Sequence, residues 1–169
     1  MRTLTLVVGS ICVLCAAGLA LGGTAPAPVY AQQCPSVMAA LRSASYFTTS
    51  VVAAQNAGVA PTLASGSGPF TVFAPTDSAF RKLPGWEVNY VLHNPGKDAQ
   101  IVKYHIVPGA ALSLERLKVT QSLPTWNGMQ LVVDTDGGTI VLNGRARVIG
   151  QGVTCANGVV YPIDTVLLP

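Results

Sequence analysis

The sequence predicts an α+β domain: an antiparallel β-wedge or sandwich with a helical subdomain packed on one side. Three observations lead there. From Pro35 to about Ile106 the pattern is mainly helical. From Lys118 onward, β-branched runs alternate with turns, and the dipeptide Asn-Gly recurs at Asn127-Gly128, Asn143-Gly144 and Asn157-Gly158. Asn-Gly is the strongest short hairpin signal because both residues tolerate positive φ. No repeat or low-complexity tract divides the two halves, and 169 residues is a one-domain length.

Residues 1–31 stand apart from the domain, which is expected to span 32–169. Met1-Arg2-Thr3 is a short positive start, Leu4 to Leu21 is almost wholly apolar, and the stretch ending Val29-Tyr30-Ala31 suits a signal peptidase. This pattern predicts a secretory signal cleaved after Ala31. The alternative is an uncleaved anchor, the apolar run being at the lower limit for a bilayer span. No later segment is long and apolar enough to span a membrane, so no span is expected after cleavage. Without Arg2, nine Lys+Arg face seven Asp+Glu. Such near balance, with no basic cluster, argues against nucleic acid as a partner.

Along the domain, Ser36 is placed to cap a first helix ending near Ser43. A second, Ala-rich stretch contains Val51, Val52 and Gln55 and stops at Gly58, and Pro61 to Ala64 suits a short helical turn. Ser65-Gly66-Ser67-Gly68-Pro69 is a loop. Phe70 to Phe73 is β-branched and aromatic, hence a strand, and Pro75 ends it. Thr76 is placed as an N-cap with Asp77 in the positively polarised first turn of a helix to Leu83. Pro84-Gly85 stops that helix. Phe73 and Phe80 should face the core from strand and helix. Asn94-Pro95-Gly96 is a turn, Lys97 to Tyr104 is helical, Pro108-Gly109 is a break, and a short helical turn fits Ser113 to Leu117. Strands are expected at Val119–Leu123, Met129–Asp134, Thr139–Leu142, Ala146–Ile149 and Val159–Leu168, with a further turn at Asp136-Gly137-Gly138.

Few residues point to catalysis. The histidines are His93 and His105, and no G-x-S-x-G elbow or phosphate loop occurs. Asp134-Thr135-Asp136-Gly137-Gly138 begins like a calcium loop. The bidentate carboxylate due eleven residues after the first Asp is replaced by Arg145, so a β-turn is the better reading. Cys12 and Cys15 lie in the discarded segment. Cys34 and Cys155 remain as an even pair, which in an oxidising compartment forms one disulfide; the alternative is two buried free thiols. His105, among Tyr104, Ile106 and Val107, is expected to be buried, its ring satisfied by Asp164, Asp77 or Thr76. The alternative is a ligand or receptor contact. No spaced partner supports a metal there. Trp86 and Trp126 sit beside turns, suited either to rim packing or to contact with sugar rings or an apolar ligand.

Three blocks in order resemble the conserved boxes of the fasciclin (FAS1) domain: Thr71 to Phe80, Tyr104 to Gly109, and Val160 to Pro169. The resemblance covers about Ser36 to Pro169. It implies a β-wedge or sandwich with a helical subdomain and a secreted, periplasmic or surface-bound, non-catalytic module for cell–cell, cell–matrix or cell-wall adhesion. Its partners would be a matrix or cell-surface protein or a polysaccharide. Some microbial and algal members carry carotenoids, so the alternative is an extracellular or periplasmic carrier of a small apolar ligand; no other cofactor is implied. Tyr104 and His105 fall where animal members have a Tyr-His motif linked to integrin contact. The family's Asp-Ile motif is matched only in reverse, by Ile163-Asp164, and is not carried over. Thr71, Phe73, Pro75, Thr76, Asp77, Phe80, Pro108, Gly109, Asp164 and Thr165 match conserved box positions with structural roles.

Overall fold

The computed structural model describes residues 34–65, 68–94 and 96–169, and only the backbone of 90–93. The expected signal segment, the tip of the loop at Gly66-Ser67 and Pro95 lie outside the described residues. Seven helices and eight strands are described: α1 Val37–Ser43, α2 Thr48–Asn56, α3 Ala60–Ala64, β1 Phe70–Pro75, α4 Asp77–Arg81, α5 Gly85–His93, α6 Lys97–Tyr104, β2 Ile106–Pro108, α7 Leu114–Val119, β3 Ser122–Pro124, β4 Gln130–Asp136, β5 Thr139–Leu142, β6 Ala146–Arg147, β7 Val153–Cys155 and β8 Gly158–Ile163.

The strands form two four-stranded sheets, ordered β2-β1-β8-β7 and β3-β4-β5-β6. All described strand pairings are antiparallel except one: β1 and β8 run parallel, in register from Phe70 opposite Gly158 to Pro75 opposite Ile163. The α+β wedge therefore contains one mixed sheet. Hairpin signals could not disclose this pairing, because a parallel pair needs a long crossover rather than a turn. Here residues 76–157, from α4 to β7, form the crossover.

Alternation along β1 explains the layers. Phe70, Val72 and Ala74 pack with Val37, Leu41 and Leu63 of the helices, together with Val160 of β8. Phe73, on the other face, joins Val159 and Tyr161 of β8 against Leu131, Ile140 and Leu142 of the second sheet. All six β1 residues are buried. A strand covered on both faces reads as a continuous apolar run rather than an alternating one. A smaller cluster of Ala79, Phe80, Ile101 and Val166 closes the end near α4. Cys34 and Cys155 form a disulfide across 121 residues, tying the start of the domain to β7. In the chain-entropy view, closing so long a loop stabilises by about 5 kcal/mol at most.

Several elements differ from expectation. Pro84-Gly85 does stop α4, but Pro84 then precedes a new helix, α5, for which the sequence pattern gave no expectation. Proline is compatible with a helix start, where the missing N–H is not needed. Val119 ends α7 instead of opening a strand, and β3 begins at Ser122. β6 is only two residues long, and β8 ends at Ile163, well before Leu168. The short edge strand β7, largely exposed, was not expected either. Both residues of an Asn-Gly pair have positive φ only at Asn143-Gly144; at the other two sites only the glycine does.

Asn157 is the clearest case of a turn residue with a larger task. It is buried, its Oδ1 accepts the Val37 N–H at 2.7 Å, and its Nδ2 donates to the Leu63 carbonyl at 2.8 Å. Its own carbonyl accepts the Phe70 N–H at 3.0 Å. One residue thus joins α1 and α3 to the start of β1. Beside it, a Cβ on Gly158 would collide with the Phe70 backbone carbonyl. Gly158→Ala should therefore cost about 2–3 kcal/mol in chemical denaturation, the size of an overpacked core site. A change within a few tenths of a kcal/mol would show that the strands are not so closely seated.

Candidate functional site

The two conserved-looking boxes meet at the far end of the β1–β8 pair. Thr76 caps α4 by accepting the Ala79 N–H at its Oγ1, 3.3 Å, and its own N–H donates to the Ile163 carbonyl at 3.1 Å. Asp77 reaches away from its own helix. Its carboxylate accepts the N–H groups of Thr49 at 2.8 Å and Thr48 at 3.3 Å, capping α2, whose own N-cap residue Phe47 makes no side-chain cap. Burial pushes the Asp77 carboxyl up, but the hydrogen bonds from Thr49 and Thr48 outweigh it and hold the group below its ordinary range. Asp164 is a second hub. It accepts the Arg147 N–H at 2.8 Å, the Lys82 ammonium at 3.1 Å and the Thr165 hydroxyl at 3.0 Å. Burial raises its carboxyl, and these three donors more than reverse that. Thr71 is buried between its acceptor, the Ala110 carbonyl at 2.7 Å, and a donor, the Leu112 N–H at 2.9 Å, so it holds the loop after Pro108 and Gly109. Gly109 there takes φ +83°, which a side chain would resist.

Tyr104 and His105 are buried, at 3% and 5% exposure. The Tyr104 hydroxyl donates to the Gln130 carbonyl at 3.2 Å and accepts from the Asn143 amide at 2.7 Å, bridging α6 to the second sheet. The expected partners of His105 were wrong: neither Asp164, Asp77 nor Thr76 meets its ring. Instead the Leu167 N–H donates to Nε2 at 3.0 Å, so the proton sits on Nδ1 and is donated to the Ile101 carbonyl at 2.8 Å. Main-chain partners explain the error, since a residue-type pattern does not reveal them. The imidazole clasps the segment after β8 onto α6, bonding Leu167 where a longer strand was expected.

Burial lowers the His105 pKa to about 4, partly opposed by its bond to Ile101. The unfolded chain binds the proton near 6.5, so across that window the unfolded state holds more protons. The His105 contribution is complete above pH 6.5 and is lost as pH falls towards 4, roughly 3 kcal/mol in all. Wild-type stability should fall over this range in denaturant titrations, while His105→Gln should be less stable at pH 7 and nearly flat from 7 to 4. A wild-type profile as flat as the variant's would contradict the clasp.

The tryptophans separate. Trp126 is half-buried and stacks on Phe70 at 5.8 Å between ring centres, its backbone N–H bonded to the Ile106 carbonyl at 2.8 Å. Trp86, in the first turn of α5, is 70% exposed. It stands at the lip of an open cleft of about 660 Å³, lined also by Glu87, Gln100, Asn127, Met129 and Leu168. Helices α5 and α6, the 127–129 turn and the C-terminal residues converge there. The His105 clasp and the Tyr104 bridge hold two of those walls. Sequence spacing could not have assembled this cleft, although an exposed-looking Trp beside a turn was a usable signal. Between the helices and β1 lies a far smaller apolar void of about 40 Å³, lined by Leu41, Ala54, Leu63, Val72, Ile106 and His105. That is room for a water or two, not for a ligand of ordinary size.

Among the described residues no group of three or more His, Cys, Asp or Glu gathers to hold a metal. No described helix is long and apolar enough to cross a membrane. The acidic turn resembling a calcium loop is a β4–β5 hairpin, with Asp136 paired to Arg147 at 3.2 Å.

Comparison with known proteins agrees with this architecture. The family model described as Fasciclin domain matches residues 45–169. Mouse stabilin-2 is 36% identical over 108 residues, 62% of this chain but 4% of that protein, so the chain spans only a small part of that relative. The uncharacterized protein sll1735 of Synechocystis is 36% identical over 136 residues, 79% of this chain and 98% of its own length. A FAS1 domain pair from the insect cell adhesion molecule fasciclin I superimposes with a TM-score of 0.67 at 20% identity, over 81% of this chain and 52% of that one. The match over most of the domain, and the agreement of fold, show that the chain belongs to the fasciclin domain family.

Proposed function

We propose that this chain is a secreted or surface-associated, non-catalytic interaction module that contacts a protein or polysaccharide outside the cell. The observation that carries this reading is Trp86, a large aromatic exposed at the lip of an open cleft. Aromatic anchors are enriched where proteins bind partners, and an indole left in water is a cost without such a use. The fasciclin family supports an interaction role, and the insect relative is described as a cell adhesion molecule. The Cys34–Cys155 disulfide is consistent with an oxidising compartment, as is a signal segment cleaved after Ala31. The histidine bears on contact indirectly: Tyr104 and His105 position the walls of the cleft, and Trp126 braces the turn that carries Asn127. A core void of about 40 Å³ speaks against carriage of a carotenoid-sized molecule between helices and sheet.

Cosedimentation tests the proposal. The purified mature chain should pellet with the insoluble envelope or matrix fraction of its producing cells, and Trp86→Ala should weaken this about tenfold, the effect of one lost anchor. Absence of pelleting, with a native mass spectrum showing a bound small apolar molecule, would overturn it in favour of a carrier.

A further inference from the structure

The chemistry of the cleft narrows its occupant. Its volume of about 660 Å³ falls in the range of small-ligand sites, and it is open rather than sealed. One flat aromatic face stands at its lip, and two carboxamides and a carboxylate, Gln100, Asn127 and Glu87, lie along it. No hydrogen bond or ion pair of the Gln100 or Glu87 side chain is found among the described residues. Asn127 is already oriented: its Oδ1 accepts the Thr125 hydroxyl at 2.6 Å and the Met129 N–H at 3.0 Å. Among the described residues its amide makes one long bond, 3.4 Å to the Gln100 carbonyl, and the second N–H is a donor for another molecule. The lining carries one cationic and one anionic side chain, Lys97 and Glu87.

We propose that this cleft binds a neutral oligosaccharide, with one sugar ring lying on the Trp86 indole and its hydroxyls held by Gln100, Asn127 and Glu87. The proposal rests on the partner-contact reading above and names the partner's chemistry. A sugar ring has an apolar face that suits an indole and a rim of hydroxyls that both donate and accept. Carboxamides match such hydroxyls because they offer both roles on one planar group, and a carboxylate accepts from two at once. A polyanionic glycan would need a basic cluster, which the cleft lacks. Most of the lining is apolar, with Met129 and Leu168 near Trp86, and the polar side chains are spaced between them, which suits the alternating apolar face and hydroxyl rim of a sugar.

Trp86 and Trp126 are the chain's two tryptophans, so Trp126→Phe leaves Trp86 as the sole indole reporter. Its emission should shift saturably with at least one of four neutral hexasaccharides, built on glucose, N-acetylglucosamine, mannose or xylose, at up to about 10 mM, the weak end of measurable affinity. Calorimetry on the unmodified chain repeats the titration without the background change. Trp86→Ala and Gln100→Ala should each lower the affinity about tenfold or more, with circular dichroism unchanged because both side chains are exposed. A sulfated hexasaccharide should bind no better than the neutral one. If no neutral hexasaccharide binds by either method, or if binding ignores Trp86→Ala, the inference is overturned. Envelope cosedimentation that still depends on Trp86 would in that case preserve the contact reading with a protein partner; loss of that dependence as well would remove both.

Discussion

The parallel pairing of β1 with β8 is the constraint on which the rest of the domain depends. Two six-residue strands, almost ninety residues apart, lie side by side over their full length. Both are covered on two faces, by helices on one side and by the second sheet on the other. Each strand has one neighbour besides the other, β2 for β1 and β7 for β8, and their mutual pairing closes a loop of residues 76–157. The entropic cost of closing that loop grows slowly with length, so the arrangement is thermodynamically tolerable although it should fold slowly.

The polar residues of the two boxes answer to this arrangement. A buried parallel pair has ends where the chain must leave, and exposed main-chain groups there need partners. At one end Asn157 supplies three hydrogen bonds to three elements. At the other, Thr76 joins Ile163, Asp77 caps the neighbouring α2, and Asp164 gathers Arg147, Lys82 and Thr165. His105 then fastens the C-terminal segment beyond β8 back onto α6. None of these residues needs a catalytic role to explain its place. Each satisfies at least one main-chain group of a neighbouring element.

Much of this was legible in the sequence because local chemistry carried it. Ser36 caps α1 and Thr76 caps α4 where the residue types said they should. The burial of Phe73 and Phe80 accords with their places in strand and helix. Features that depend on distant partners were not legible. Asp77 is the first-turn residue of α4 that its position suggests and also caps α2, and Asn157 is the hairpin residue it looked like and also organises three elements. Helix α5 was hidden because Pro84-Gly85 signals a stop and a start alike. The cleft was hidden for a different reason: its walls come from α5, α6, a β-turn and the C-terminal residues, none of which carries a spacing motif of its own.

The proposed contact surface then sits on the rim of a scaffold rather than within it. The helical side and the second sheet are joined through the central pair, and His105 and Tyr104 bond to residues next to the walls of the groove beside Trp86. The most direct test of this hierarchy is native-state hydrogen exchange. The ladder amides within 71–74 and 159–161 should exchange only through global unfolding, with protection equal to the stability of the whole domain, while those of the edge strands β3 and β7 open locally. Amides of β1 and β8 that exchange as readily as those of β7 would contradict the account, for the central pair would then be a peripheral contact rather than the one that holds the domain together.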